Sequence, residues 1–229
     1  MRCGRPPAAA DRGHRQGARA DRGRPQGARP YPGRGLSTLE VLHAHIRRCR
    51  RCPLWRTRTH AVPGEGPARA DVMFVGEGPG KEEDRTGRPF VGRAGRVLDE
   101  LLAGVGLRRE DVYVTNVIKD RAATPGDPPR DRPPAPPEIT ACAPWLAAQL
   151  ALIRPRIVVT LGRHALAAFL PGAQIADVHG RPQRRGARII LPLYHPSYAL
   201  HNPNVRPVLR RDIQILTDLL RARGGAAAE

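Results

Sequence analysis

Four short runs of apolar and β-branched residues punctuate the chain: DVMFV (71–75), DVYVT (111–115), RIVVT (156–160) and RIILPL (188–193). Their hydrophobicity is nearly continuous, which marks strands buried on both faces. Helical periodicity fills the intervals, over TLEVLHAHIRRC (38–49), Gly95 to Ala103, Pro137 to Ile153, Arg163 to Leu170 and Val205 to Arg221. Strands alternating with helices predict an α/β fold, a three-layer α/β/α sandwich on a four-stranded parallel sheet. Ligands of such sheets lie beyond the carboxyl ends of the strands. The unusual residues of this chain gather there: GEGPG after the first run, Asn116 after the second, LGRHA after the third and YHPS after the fourth.

Residues 1–36 show neither pattern. They repeat ADRGHRQGAR as ADRGRPQGAR, hold almost no large apolar residue, and set nine arginines against Asp11 and Asp21. A disordered basic tail is expected there, followed by one domain over 37–229. The proline-rich stretch from Arg121 to Glu138 is a long surface loop, because proline removes donors from both helix and strand. It ends where Pro137 and Glu138 suit the first turn of a helix.

Charge changes the picture more than composition does. The formal net charge is +18, carried almost wholly by arginine, since Lys81 and Lys119 are the only lysines. A polyanion is the natural partner of such a chain. No apolar run is long enough for a membrane span and none opens the chain as a secretory signal, so a cytoplasmic protein without a membrane partner is expected.

Two constellations carry candidate chemistry. One is VGEGPGKEEDRTGRPFVGRAG (75–95), where glycines surround Glu77, Glu82, Glu83, Asp84 and one of only three phenylalanines, Phe90. It lacks the spaced acidic residue of a dinucleotide fold and the Gly-Lys-Ser/Thr of a phosphate loop. The acids also argue against simple phosphate binding. The other is Cys49-x-x-Cys52, which reads as metal chemistry ahead of redox chemistry, because the pair follows a helix and lacks a thioredoxin-like setting.

Together VGEGPGKEEDRTGRPFVGRAG, VYVTNVIKDR and LYHPSYALHNP resemble the uracil-DNA glycosylases of the iron–sulfur, type-4 kind, in the right order from about Cys49 to Leu219. The resemblance implies a monofunctional enzyme of base-excision repair that acts on uracil-containing DNA as a monomer. It flips deoxyuridine from the helix and hydrolyses its N-glycosidic bond. By motif position Phe90 is the platform for the extruded base, Asn116 reads its N3–H and O4, and His195 faces O2, where negative charge collects as the bond breaks. Glu77 and Glu83 are the candidate carboxylates, Glu83 either orienting water or excluding the thymine methyl. Gly78 stands where better-known relatives carry a water-activating aspartate, and its backbone N–H is a base contact. Ser197 reaches toward a DNA phosphate. His164 and His179 are expected to be structural or solvent-facing.

The resemblance also implies a structural [4Fe–4S] cluster, with Cys49, Cys52 and Cys142 matching three of its four cysteines. Asp120 stands where the remaining cysteine is expected; it is the candidate fourth ligand by position, with Cys3, or no ligand from the protein, as alternatives. One branch of the superfamily traps the abasic sugar on a histidine in a KRRIH run. The loop between Asp120 and Cys142 contains no histidine, so turnover is expected. Two alternatives stay open: a same-fold glycosylase acting on hypoxanthine or xanthine, and a noncatalytic iron–sulfur DNA-binding protein.

Overall fold

The computed structural model describes residues 38–126 and 128–222. The basic tail expected over 1–36, and Cys3 within it, lie outside the described residues. Five strands form one sheet: β1 (Val72–Gly76), β2 (Tyr113–Asn116), β3 (Ile157–Leu161), β4 (Gln183–Arg185) and β5 (Arg188–Leu193). Their order is β2-β1-β3-β5-β4, with β2, β1, β3 and β5 parallel and β4 antiparallel at the edge. The four apolar runs are therefore the parallel core of the sheet. β4 corrects the four-stranded expectation. Its sequence, QRR, is polar and three residues long, and it forms by folding back on β5 through a tight turn at Gly186 (φ 58°).

Side chains alternate across the sheet with period two. Val72, Phe74, Val114, Val159 and Leu191 face one layer, packed against α3 (Arg93–Ala103) and α8 (Val205–Arg221). Met73, Val75, Tyr113, Val158 and Ile190 face the other, packed against α1 (Leu39–Arg47), α4 (Pro136–Ile153) and α5 (Arg163–Phe169). Three short helices complete the described residues: α2 (Lys81–Thr86), α6 (Ile175–Val178) and α7 (Tyr198–His201). α2 was not legible as a helix. Its sequence, KEEDRT, offers no apolar face, and it is closed at Gly87 by a left-handed turn (φ 73°). Among the described residues no helix is long and apolar enough to cross a membrane.

Polar groups under the sheet are unusually well connected. Lys119 is fully buried and donates to Thr115 Oγ1 (2.7 Å), Gln149 Oε1 (2.7 Å) and the Asn116 carbonyl (2.6 Å). Burial lowers its pKa to about 8, and these three acceptors make its ammonium tolerable there. Gln149 donates to the Tyr113 hydroxyl (2.8 Å), which leaves the Tyr113 proton for His43 Nε2 (2.7 Å). Burial, then Arg47 and Lys119, depress the His43 pKa to about 4. A depressed histidine stabilises the fold above its unfolded pKa, and that stability is lost as pH falls through the folded value. Thermal melts should therefore lose stability between pH 6.5 and about 4, and a His43→Gln variant should lose less over the same window.

Candidate active site

The carboxyl ends of β1, β2, β3 and β5 open into a single cleft of about 1050 Å³. Glu77, Gly78, Glu83, Phe90, Asn116, His195 and Ser197 all line it. β1 has β2 on one side and β3 on the other, with connections through opposite helical layers. The cleft thus sits at the switch point of the sheet.

Asn116 ends β2 in register with Gly76 of β1. Its side chain is 1% exposed, and its Oδ1 has no hydrogen-bond partner among the described residues. An orphaned buried acceptor costs about 1–3 kcal/mol, so a site that keeps one is built to receive a donor. Gly76 explains the space beside it: a methyl group there would strike both Asn116 Oδ1 and the edge of the Phe90 ring. The Phe90 ring lies 5.8 Å from the His195 ring, tilted by 33°. An aromatic face, an amide and an imidazole thus converge on one volume.

Phe90 holds a left-handed backbone (φ 51°), uncommon for a residue with a bulky side chain. Two neighbours fix it. Gly95, in the first turn of α3, lets the helix close on the Phe90 carbonyl, where any Cβ would collide. Glu83 holds the following turn: Oε1 accepts from the N–H of Val91 (2.9 Å) and Gly92 (2.8 Å), and Oε2 accepts from Gly80 N–H (3.1 Å). Its carboxylate therefore joins the start of α2 to the Phe90 turn. Glu83→Gln replaces one acceptor oxygen by a donor facing an N–H. That variant is expected to lose about 1–3 kcal/mol of stability in denaturant melts and at least tenfold in activity.

His195 lies against Gly162 (φ 85°), where a Cβ would approach His195 Cβ to 2.9 Å. Its Nδ1 accepts the Ser197 backbone N–H (3.1 Å) and contacts Ser197 Oγ (2.7 Å). With Nδ1 accepting, the neutral ring carries its proton on Nε2. Burial lowers the His195 pKa, with Glu77 and Glu83 opposing and His164 adding to the fall. Neutral imidazole is thus the resting form. Ser197 acts here on His195 itself, beyond the phosphate contact expected of it.

Glu77 is bound by a residue that sequence reasoning set aside. Its Oε2 lies 2.5 Å from His164 Nδ1. His179, likewise expected to be structural or exposed, pairs through Nδ1 with the buried Asp212 (2.5 Å) and stacks on Tyr194 at 4.6 Å. The signal for His164 was its place at a strand end, in LGRHA; nothing local marked its carboxylate partner.

Cys49, Cys52 and Cys142 belong to the core layer that α1 and α4 form against the sheet. Cys49 follows α1, Cys52 precedes the 3-10 turn Pro53–Arg56, and Cys142 lies in α4. Trp145 Nε1 donates to Cys49 Sγ (3.2 Å). Burial pushes the Cys142 thiol up to about 11, although Lys119 lowers it, and burial also raises Cys52. Asp120 and Cys49 both act electrostatically on Cys52 and on Cys142. Among the described residues no three His, Cys, Asp or Glu side chains group closely enough for a metal ion. Asp120 is held by Arg58, whose Nη1 reaches both carboxylate oxygens at 3.0 and 2.8 Å while Nη2 donates to the Arg47 carbonyl. Three soft sulfur donors fit an iron–sulfur group. Asp120, a hard donor already satisfied by a guanidinium, does not fit as its fourth ligand.

Comparison with known proteins agrees with this geometry. A family model described as the uracil DNA glycosylase superfamily matches residues 63–216. A type-4 uracil-DNA glycosylase of Sulfurisphaera tokodaii is 41% identical over 194 residues, spanning 80% of this chain and 86% of that protein. One from Thermotoga maritima is 42% identical over 191 residues, 81% of this chain and 96% of its own. A type-5 uracil-DNA glycosylase of Thermus thermophilus is 35% identical over 155 residues, 61% of this chain and 66% of its own. The chain belongs to the uracil DNA glycosylase superfamily, among the type-4 uracil-DNA glycosylases.

Proposed function

We propose that this chain excises uracil from DNA by hydrolysing the N-glycosidic bond of an extruded deoxyuridine, the first step of base-excision repair. The observation that carries the reading is the orphaned Oδ1 of Asn116, buried beside the Phe90 ring. Uracil presents N3–H and O4 side by side, which an amide oxygen and amide NH2 match together; cytosine presents the reverse. The aromatic face of Phe90 replaces the stacking that the base loses on leaving the helix. As the glycosidic bond lengthens, charge grows on O2, and the partly buried His195 donates to it from Nε2–H. Positive charge grows on the sugar, and the Glu77 carboxylate offsets it and orients the incoming water. Glu83 acts through the Phe90 turn that it holds. Gly78 contributes its backbone N–H, and a Cβ there would meet the Ile118 side chain at 2.7 Å.

The duplex is held by its phosphates. Lys81, Arg93 and Arg163 begin α2, α3 and α5 and line the cleft with Arg132. Tyr198, 45% exposed at the start of α7, stands at the rim where the base leaves the stack. The chain works in this reading as a monomer in the cytoplasm. Cys49, Cys52 and Cys142 would hold an iron–sulfur cluster tying α1 to α4, and the group when bound would contribute structure with no part in bond cleavage. Iron and sulfide analysis of the purified chain, before and after Cys142→Ala, reads this directly.

The excision reading is tested by incubating the chain with a duplex containing one uracil, then treating with alkali. Strand cleavage at the uracil, only after alkali, is expected. The same assay with hypoxanthine and xanthine sets the base range.

A further inference from the structure

We propose that His164 is a positioning residue for the reaction, holding the Glu77 carboxylate toward the sugar; the inference rests on the excision reading above. Glu77 follows β1, and its carbonyl accepts the Ile118 N–H (3.1 Å), so the backbone is fixed while the side chain retains its rotatable bonds. The side chain is 34% exposed at the cleft, and free rotation there would spread the carboxylate over many positions. His164 Nδ1 meets Oε2 at 2.5 Å, leaving Oε1 for the reacting centre. A carboxylate accepts, so the ring donates from Nδ1, and a neutral imidazole is sufficient.

The placement is economical. Gly162 caps α5 in a left-handed conformation that only glycine adopts without strain, and the same residue lies against His195. Two residues later, His164 reaches Glu77. A single turn after β3 therefore aligns both the donor to the departing base and the carboxylate opposite the sugar. Misplacing a reacting group by about an ångström costs on the order of a hundredfold in rate.

Single-turnover excision on uracil-containing duplex separates positioning from mere packing. His164→Ala should lower the maximal single-turnover rate at least tenfold with the half-saturating enzyme concentration nearly unchanged, because the substrate's own contacts remain. His164→Asn should recover most of the loss, since its Nδ2 takes the place of Nδ1; His164→Gln, whose amide sits one carbon farther out, should not. In a Glu77→Ala background, removing His164 should add nothing further. Equal losses from His164→Ala with and without Glu77 would overturn the proposal, as would full activity of His164→Ala. A wild-type chain inert toward uracil would instead sink the excision reading on which it rests.

Discussion

Replacing Asn116 by alanine is expected to lower kcat/KM for uracil excision about a thousandfold, equivalent to roughly 4 kcal/mol of transition-state stabilisation. The argument rests on burial. Asn116 is almost wholly enclosed, its Oδ1 has no partner among the described residues, and it lines the cleft together with Phe90. Uracil supplies N3–H to that oxygen and O4 to the amide nitrogen. Without the amide both polar edges of the base are buried unpaired, and such sites reject the unmatched partner by factors of 10⁴–10⁵. Affinity for undamaged duplex should not change, because phosphate contacts supply it. Asn116→Asp tests the polarity of recognition separately. A carboxylate can accept N3–H but opposes O4, so uracil excision should fall steeply although the shape is nearly kept. Kinetics on matched uracil and cytosine duplexes check both variants.

Replacing His195 by alanine should cost about a hundred- to a thousandfold in kcat, the range seen when one preorganised oxyanion donor is removed. KM should change little, since charge on O2 appears only as the bond breaks. The ring is set for this role by Ser197, whose backbone N–H occupies Nδ1 and leaves the proton on Nε2. Burial holds its pKa below the ordinary histidine value, so the neutral form prevails as pH falls past that value. Nuclear magnetic resonance titration of the His195 ring should therefore show a midpoint below 6.5. His195→Gln, which keeps a donor at the end of the side chain, should retain more activity than His195→Ala.

Much of this site was legible in the sequence because it is built from strand ends. Four continuous apolar runs gave the parallel sheet, and the residues after them, Glu77, Asn116 and His195, had to meet beyond its carboxyl edge. What escaped is long-range or polar in origin. β4 is three polar residues that form only because β5 lies beside them. α2 is short and charged, with its first turn tied by Glu83, so periodicity could not reveal it. Glu83 itself was visible as a candidate carboxylate, yet its work as a clamp on the Phe90 turn depends on residues eight and nine positions away. His164 and Glu77 are separated by 87 residues, and only the register of β1 with β3 brings them together.

The departure at Asp120 follows the same logic. Sequence position suggested a ligand, whereas the fold supplies Arg58 from the segment before β1, and a buried guanidinium–carboxylate pair satisfies both charges. Removing Arg58 would leave Asp120 buried and unpaired.

The most direct measurement of the central claim is single-turnover uracil excision by the wild-type chain and Asn116→Ala, side by side, with folding and duplex binding verified for both. The account predicts alkali-dependent cleavage at uracil by the wild type and about a thousandfold slower cleavage by the variant. Equal rates for the two proteins, or a folded, DNA-binding wild type that leaves uracil in place, would contradict it.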